Sequence, residues 1–225
     1  MQAIHGGGYL SGLESALKIP VGDVEVEGNM FLSQEARALV IFVHGSGSSR
    51  FSPRNQYVAK EFNKAGLATL LFDLLTPAEE EEDELTMQYR FDIALLSKRL
   101  IGVTAWLQRD PATSQLKFGY FGASTGAAAA LIAAAKMSKV VSAVVSRGGR
   151  PDLAGQYLGY VVAPTLLLVG GDDEEVIELN KQAQSQMHNE NKLVVIPGAT
   201  HLFEEPGKLE EVARFASDWF KRYLK

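Results

Sequence analysis

Cysteine is absent from the 225 residues. That absence excludes disulfides, thiolate nucleophiles, iron–sulfur clusters and Cys-ligated zinc. Basic side chains are also short, with 22 Lys and Arg against 27 Asp and Glu and a net charge of −5. A protein that holds nucleic acid through clustered cations needs the opposite balance, so no nucleic-acid partner is expected. The longest uncharged apolar run, near residues 127–135, falls well short of the roughly 20 residues a membrane span requires. The first twenty residues mix His5, Glu14 and Lys18 among glycines, and offer neither the basic start, the apolar core nor the cleavage site of a signal peptide. A cytoplasmic protein without a membrane partner is the expectation.

What is present is an ordinary globular composition, 46% hydrophobic and 22% charged. Apolar runs of strand length alternate with helix-period segments, the pattern of βαβ units around a mostly parallel sheet buried on both faces. The expected buried strands are 38–43, 67–73, 116–121, 140–146, 165–169 and 192–196. Segments 15–21 and 24–31, split by Gly22-Asp23, add an antiparallel hairpin at the sheet edge and bring the count to eight. Ile93, Leu96, Leu100, Val103 and Leu107 form one helical apolar stripe, and residues 209–223 form another. Residues 75–90, with six consecutive acids at Glu79–Glu84, read as a solvated, mobile connection rather than an active-site flap. The fold class is therefore α/β, in one domain over 1–225 with 1–14 a loosely ordered N-terminus and no separate lid domain.

Gly122-Ala123-Ser124-Thr125-Gly126 follows a buried strand and opens a small-residue helix, the setting of a nucleophile elbow. A serine hydroxyl needs a base, and there are only four histidines. His201, on a loop beyond the last strand, gives the Ser, Asp, His chain order of an α/β-hydrolase. His5, His44 and His188 sit in a glycine-rich terminus, directly after a buried strand, and on the polar end of a helix. The acid comes from Asp172-Asp173-Glu174-Glu175, which also reads as a helix start with capping-box spacing. Asp173 is the first choice, Asp172 the second and Asp152 the third.

The oxyanion formed on attack needs two backbone N–H groups. Thr125 supplies one, and Ser46 in the loop His44-Gly45-Ser46-Gly47 supplies the other. His44 is then structural, holding that loop through a ring hydrogen bond. Arg50, Arg54, Arg147 and Arg150 flank loops at the carboxyl ends of strands, where open α/β sheets bind ligands. Arg147 is the leading candidate to grip an anionic substrate group, against structural pairing with an acid such as Asp152. No metal and no cofactor are required.

These residues together resemble the dienelactone hydrolase-like branch of the α/β-hydrolase superfamily from about Ser15 onward. The resemblance rests on residues 44–55 (HGSGSSRFSPRN), 121–126, 146–153 (SRGGRPDL), the Gly170-Gly171-Asp172-Asp173 turn and residues 198–207. It implies that the acid is the second residue after the paired glycines, Asp173. Some members of that branch join such a domain to a phosphoribosyltransferase, which none of these residues resembles. Dienelactone hydrolases use a cysteine nucleophile, and the serine here points instead to hydrolysis of small, soluble carboxylic esters or lactones through an acyl-enzyme. Two other classes compete. Dinucleotide binding would use Gly45-Ser46-Gly47 and Asp73 but lacks the third glycine, with Arg50 in its place. A non-catalytic small-molecule binding protein on a hydrolase scaffold is the alternative to catalysis.

Overall fold

A computed structural model describes residues 12–225. Strand β3 (Ala38–Val43) shows how the core is laid down, because all six residues are buried and alternate between two faces. Leu39, Ile41 and Val43 join one hydrophobic cluster, and Ala38, Val40 and Phe42 join the other. Only a sheet covered on both sides gives a strand with no wet face. The other strands are β1 (Gly12–Val21), β2 (Val24–Ser33), β4 (Ala68–Phe72), β5 (Lys117–Ala123), β6 (Val141–Arg147), β7 (Thr165–Gly170) and β8 (Asn191–Ile196). They form one eight-stranded sheet in the order β1-β2-β4-β3-β5-β6-β7-β8.

The β1–β2 hairpin is antiparallel, β2 pairs antiparallel with β4, and every pairing from β4 to β8 is parallel. Strand β1 begins at Gly12, within the expected loose terminus 1–14, whose first eleven residues lie outside the described ones. Helices α3 (Ile93–Leu107), α4 (Thr125–Lys136), α5 (Glu174–Gln186) and a 3-10 segment at Pro151–Tyr160 supply residues to the Ile41 side. Helices α1 (Pro53–Lys64) and α6 (Lys208–Tyr223) cover the Phe42 side, where Phe42, Phe62, Phe121 and Phe220 pack ring against ring at 4.9–5.6 Å. The chain leaves β3 for β4 on one side and returns to β5 on the other, so the strand order switches direction around β3. Ligands of open α/β sheets lie outside the carboxyl ends of strands at such a point.

The stretch 75–90 departs from the expected solvated connection, because it folds as helix α2 (Pro77–Thr86) and docks. Thr76 Oγ1 accepts from Glu79 N at 3.2 Å, and Glu79 Oε2 accepts from Thr76 N at 2.8 Å, a reciprocal capping box. Pro77 in the first turn and acids beside the helix N-terminus add to it. Glu79 also pairs with the buried Arg99 of α3. Asp83, with only 1% of its side chain exposed, accepts from the N–H groups of Tyr89 and Arg90 and from Arg90 Nε. Burial pushes the Asp83 carboxyl up, yet those donors outweigh it and hold it below its ordinary value. The acidic run thus hides a helix whose sequence signal is Thr76-Pro77-Ala78-Glu79.

Candidate active site

Ser124 occupies the turn between β5 and α4 with φ 49° and ψ −124°, a conformation that L-residues rarely adopt and that costs on the order of 1–3 kcal/mol. The flanking glycines follow from that geometry. A Cβ on Gly122 would lie 2.5 Å from Ala127 Cα, and one on Gly126 would lie 2.3 Å from the Val43 carbonyl oxygen. Both obstacles are backbone and cannot rotate away. Ser124 N donates to Arg147 O at 3.3 Å and Ser124 O accepts from Arg150 N at 3.0 Å, so the elbow is tied to the end of β6.

Asp173 and His201, 28 residues apart in the chain, meet at 2.7 Å between Oδ2 and Nδ1. Backbone bonds between the turns after β7 and β8 bring them together: Gly171 N donates to Ile196 O and Asp172 N donates to Ala199 O. Asp173 stands at the N-cap of α5 but makes no side-chain cap there, because its carboxylate turns to the imidazole. Asp172 is exposed, and Asp152 is held by Arg150 through two bonds of 2.9 and 2.8 Å. With Nδ1 facing a carboxylate, that nitrogen carries the proton and Nε2 is left as the acceptor. Ser124 Oγ makes no hydrogen bond to His201 or to any other described residue in this structure.

The loop after β3 is stitched down on both sides. His44 is buried, and burial lowers its pKa, so the ring is neutral. Its Nε2 accepts from Leu74 N at 3.1 Å, which puts the proton on Nδ1 for the Gly45 carbonyl at 2.9 Å. Ser46 Oγ donates to Arg90 O at 2.9 Å, and Ser46 N donates to Thr125 Oγ1 at 3.0 Å. The two expected oxyanion donors therefore belong to neighbouring residues, with the Ser46 N–H resting on the Thr125 hydroxyl. The contribution of Arg90 was not legible in the sequence, since only the docking of α2 carries its carbonyl to Ser46. Asp73, the acid a dinucleotide site would use, is taken by the backbone N–H and guanidinium of Arg50.

Arg147 closes β6 and is 6% exposed. Asp152 does not pair with it, nor does any other described carboxylate. Its Nε and Nη1 are buried without a hydrogen-bond partner, and its nearest aromatic face is Phe203, 6.0 Å from Cζ. Burial, with a smaller contribution from the charge of Arg54, lowers its pKa to about 10. The guanidinium stays charged at neutral pH. His188 is exposed on the surface and His5 lies outside the described residues. Among the described residues no group of three or more His, Asp or Glu could hold a metal ion, and no helix is long and apolar enough to cross a membrane. A groove of about 480 Å³ between the β1–β2 hairpin and α1 is lined by none of Ser124, Asp173 or His201.

The dienelactone hydrolase family profile matches residues 27–225. A structure of a dienelactone hydrolase from Anabaena variabilis is 56% identical, superposes with a TM-score of 0.94, and covers 95% of this chain and 99% of its own. Est1E from Butyrivibrio proteoclasticus, 18% identical with a TM-score of 0.76 over 92% of this chain and 98% of its own, shares the fold. Two Mycobacterium tuberculosis proteins, from strains CDC 1551 and H37Rv, are 57% identical over 211 residues and are named, provisionally, phosphoribosyl transferases. The match covers 94% of this chain and 47% of theirs, so the chain spans about half the length of those relatives.

Proposed function

Because the chain belongs to the dienelactone hydrolase family, we propose that it is a serine hydrolase that cleaves small, soluble carboxylic esters, lactones included, through an acyl-enzyme. Ser124 Oγ attacks the ester carbonyl while His201 Nε2 takes its proton and returns it to the leaving alcohol. Water then attacks the acyl group by the same route. Asp173 holds the imidazole in the tautomer that leaves Nε2 free and stabilises the imidazolium. The N–H groups of Thr125 and Ser46 receive the oxyanion, and rotation of the Thr125 hydroxyl releases the second of them. Arg147 binds part of the substrate. A hydrolase needs no cofactor for these steps, and its partner is the ester itself, in the cytoplasm.

The observation that carries this reading is the 2.7 Å contact of Asp173 with His201 Nδ1, downstream of a serine held at positive φ between two obligatory glycines. The name of the mycobacterial relatives describes proteins about twice as long, and the residues shared with this chain are those of the hydrolase family. Phosphoribosyl transfer is therefore not part of the proposal.

A fluorophosphonate probe tests it directly. Ser124 should displace fluoride and gain a single covalent mass, and a folded protein that never labels would leave a non-catalytic binding protein in its place. In steady-state kinetics with chromogenic esters of graded chain length, Ser124→Ala and His201→Ala should each lower kcat by roughly 10⁶-fold. The double variant should lose little more, because such groups act as a unit.

A further inference from the structure

Asn180 of α5 is a fully buried amide that satisfies only one end of its hydrogen bonding. Nδ2 donates to two carbonyls, Val176 O at 2.8 Å in the preceding turn of its own helix and Gly149 O at 2.9 Å in the run that follows β6. Oδ1 is sealed from solvent and has no hydrogen-bond partner. Turning the amide over would set that oxygen against both carbonyls, so the two acceptors fix its orientation. A sealed, unsatisfied oxygen costs free energy, and an apolar side chain of the same shape would avoid that cost. The Val176 carbonyl lies inside α5, whose backbone ladder serves it already. What only the amide can do is hold Gly149.

Gly149 has little room to move. A Cβ there would overlap Ser146 Oγ and lie 2.6 Å from Ala127 Cβ, in the helix that Ser124 opens. Its backbone is clamped among β6, α4 and α5.

The residues on either side of Gly149 touch the candidate triad. Arg147 O accepts from Ser124 N at 3.3 Å, and Arg150 N donates to Ser124 O at 3.0 Å. Gly148, at φ 50°, lies against the base: a Cβ there would be 3.0 Å from His201 O and 3.6 Å from Cε1 of the ring. Gly148 N also donates to Leu168 O at 2.8 Å, in the strand that leads to Asp173. Asp173 itself stands at the N-cap of α5, roughly two turns before Asn180. One buried amide thus joins the helix that follows the acid to the run that contacts both nucleophile and base.

We infer that Asn180 is a positioning residue for hydrolysis: it fastens residues 147–150 to α5 and so sets the separation of Ser124 from the His201–Asp173 pair. Its effect on turnover rests on the hydrolase reading; its hold on the loop does not. Ser124 Oγ and His201 are not hydrogen-bonded in this structure, so attack requires the gap between them to close. A misplacement of about 1 Å in such a geometry costs on the order of 10²-fold in rate.

Asn180→Leu keeps the volume and removes the bond. Losing the donor to Gly149 O is offset by removing the sealed Oδ1, so the Tm should stay within about 5 °C of wild type. At a temperature where both proteins are fully folded, kcat on a chromogenic ester should fall about tenfold to a hundredfold, while KM changes by less than about threefold. Fluorophosphonate labelling of Ser124 should slow by the same factor. In hydrogen exchange followed by NMR, the Ser124 and Arg150 amides should exchange at least about tenfold faster than in wild type, with the amides of β3 unchanged.

An Asn180 that served stability alone would lower the Tm and leave kcat, labelling and those two amides at wild-type values, which would overturn the inference. A slower kcat with both amides unchanged would overturn it too, because the effect would then bypass the loop. Should the variant fail to fold, the wild type decides. Corrected for intrinsic rates, the Asn180 side-chain NH2 protons should exchange no faster than the Ser124 and Arg150 amides, and faster exchange would show that the loop stands without Asn180. If the wild type cleaves no ester and Ser124 never labels, the hydrolase reading fails and the role in turnover falls with it. The exchange rates would still decide whether Asn180 holds the loop.

Discussion

Replacing Asp83 by Asn removes one charge and keeps the shape, which isolates what docks α2. The carboxylate accepts three bonds, from Tyr89 N at 2.7 Å, Arg90 N at 2.9 Å and Arg90 Nε at 2.6 Å. One Asn oxygen can keep the two backbone N–H groups, which share Oδ1. The new amide nitrogen then faces Arg90 Nε, donor against donor, where Oδ2 accepted before. Breaking a buried pair by removing one partner costs roughly 3–5 kcal/mol. Arg90, with 20% of its side chain exposed, recovers some hydration, so a loss of about 3 kcal/mol is expected. Urea denaturation at pH 7 measures it as a lower midpoint at unchanged slope.

The pH dependence has a definite sign. Asp83 has its folded pKa held below the ordinary value, so its ionised form contributes fully above the unfolded pKa of roughly 3.9. The gap between wild type and variant should therefore hold from pH 8 to about pH 5, and close only as pH falls through the folded pKa. Half-molar salt should leave it nearly unchanged, because the pair is buried. A variant within about 1 kcal/mol of wild type, or a gap that salt erases, would mean that α2 is not anchored by this carboxylate. Because Arg90 O holds Ser46 Oγ, the variant should also lower kcat more than it raises KM.

Gly126→Ala should destabilise by about 3 kcal/mol or more and abolish fluorophosphonate labelling, since the new methyl would overlap two backbone carbonyls; a near-wild-type Tm would contradict the close approach. His44 is kept neutral by burial, so the unfolded chain binds the extra proton and stability should fall as pH drops below about 6.5. Urea midpoints between pH 7.5 and 5.5 should fall more steeply for wild type than for His44→Asn, and parallel profiles would remove His44 from that account. Asp173→Asn should cut kcat by about 10⁴-fold, while Asp172→Asn changes it only a few fold; the reverse order would move the acid by one residue.

Strand composition alone made the sheet legible. Runs such as Ala38–Val43 and Thr165–Gly170, buried on both faces, have few other stable homes, and their alternation with helical stripes forces parallel crossovers. The elbow was legible in part for a local reason, because Gly122 is required by contacts within one strand, turn and helix, whereas Gly126 is required by the backbone at the end of β3, far away in the chain. Helix α2 was obscured because an acidic run carries the same composition whether it is solvated or docked. What distinguishes the two is a single buried carboxylate whose donors arrive from the following turn.

The amino-acid order by itself determined the layer architecture, the strained serine and the absence of thiol chemistry, since each depends on side-chain type and short-range spacing. Tertiary structure alone decided which of the neighbouring acids faces His201, that Asp152 belongs to Arg150, and that Arg147 is left without a counter-ion. Those outcomes depend on distances between segments far apart in the chain. A shift of a few ångströms there changes an ion pair into an unpaired charge while every local pattern stays the same.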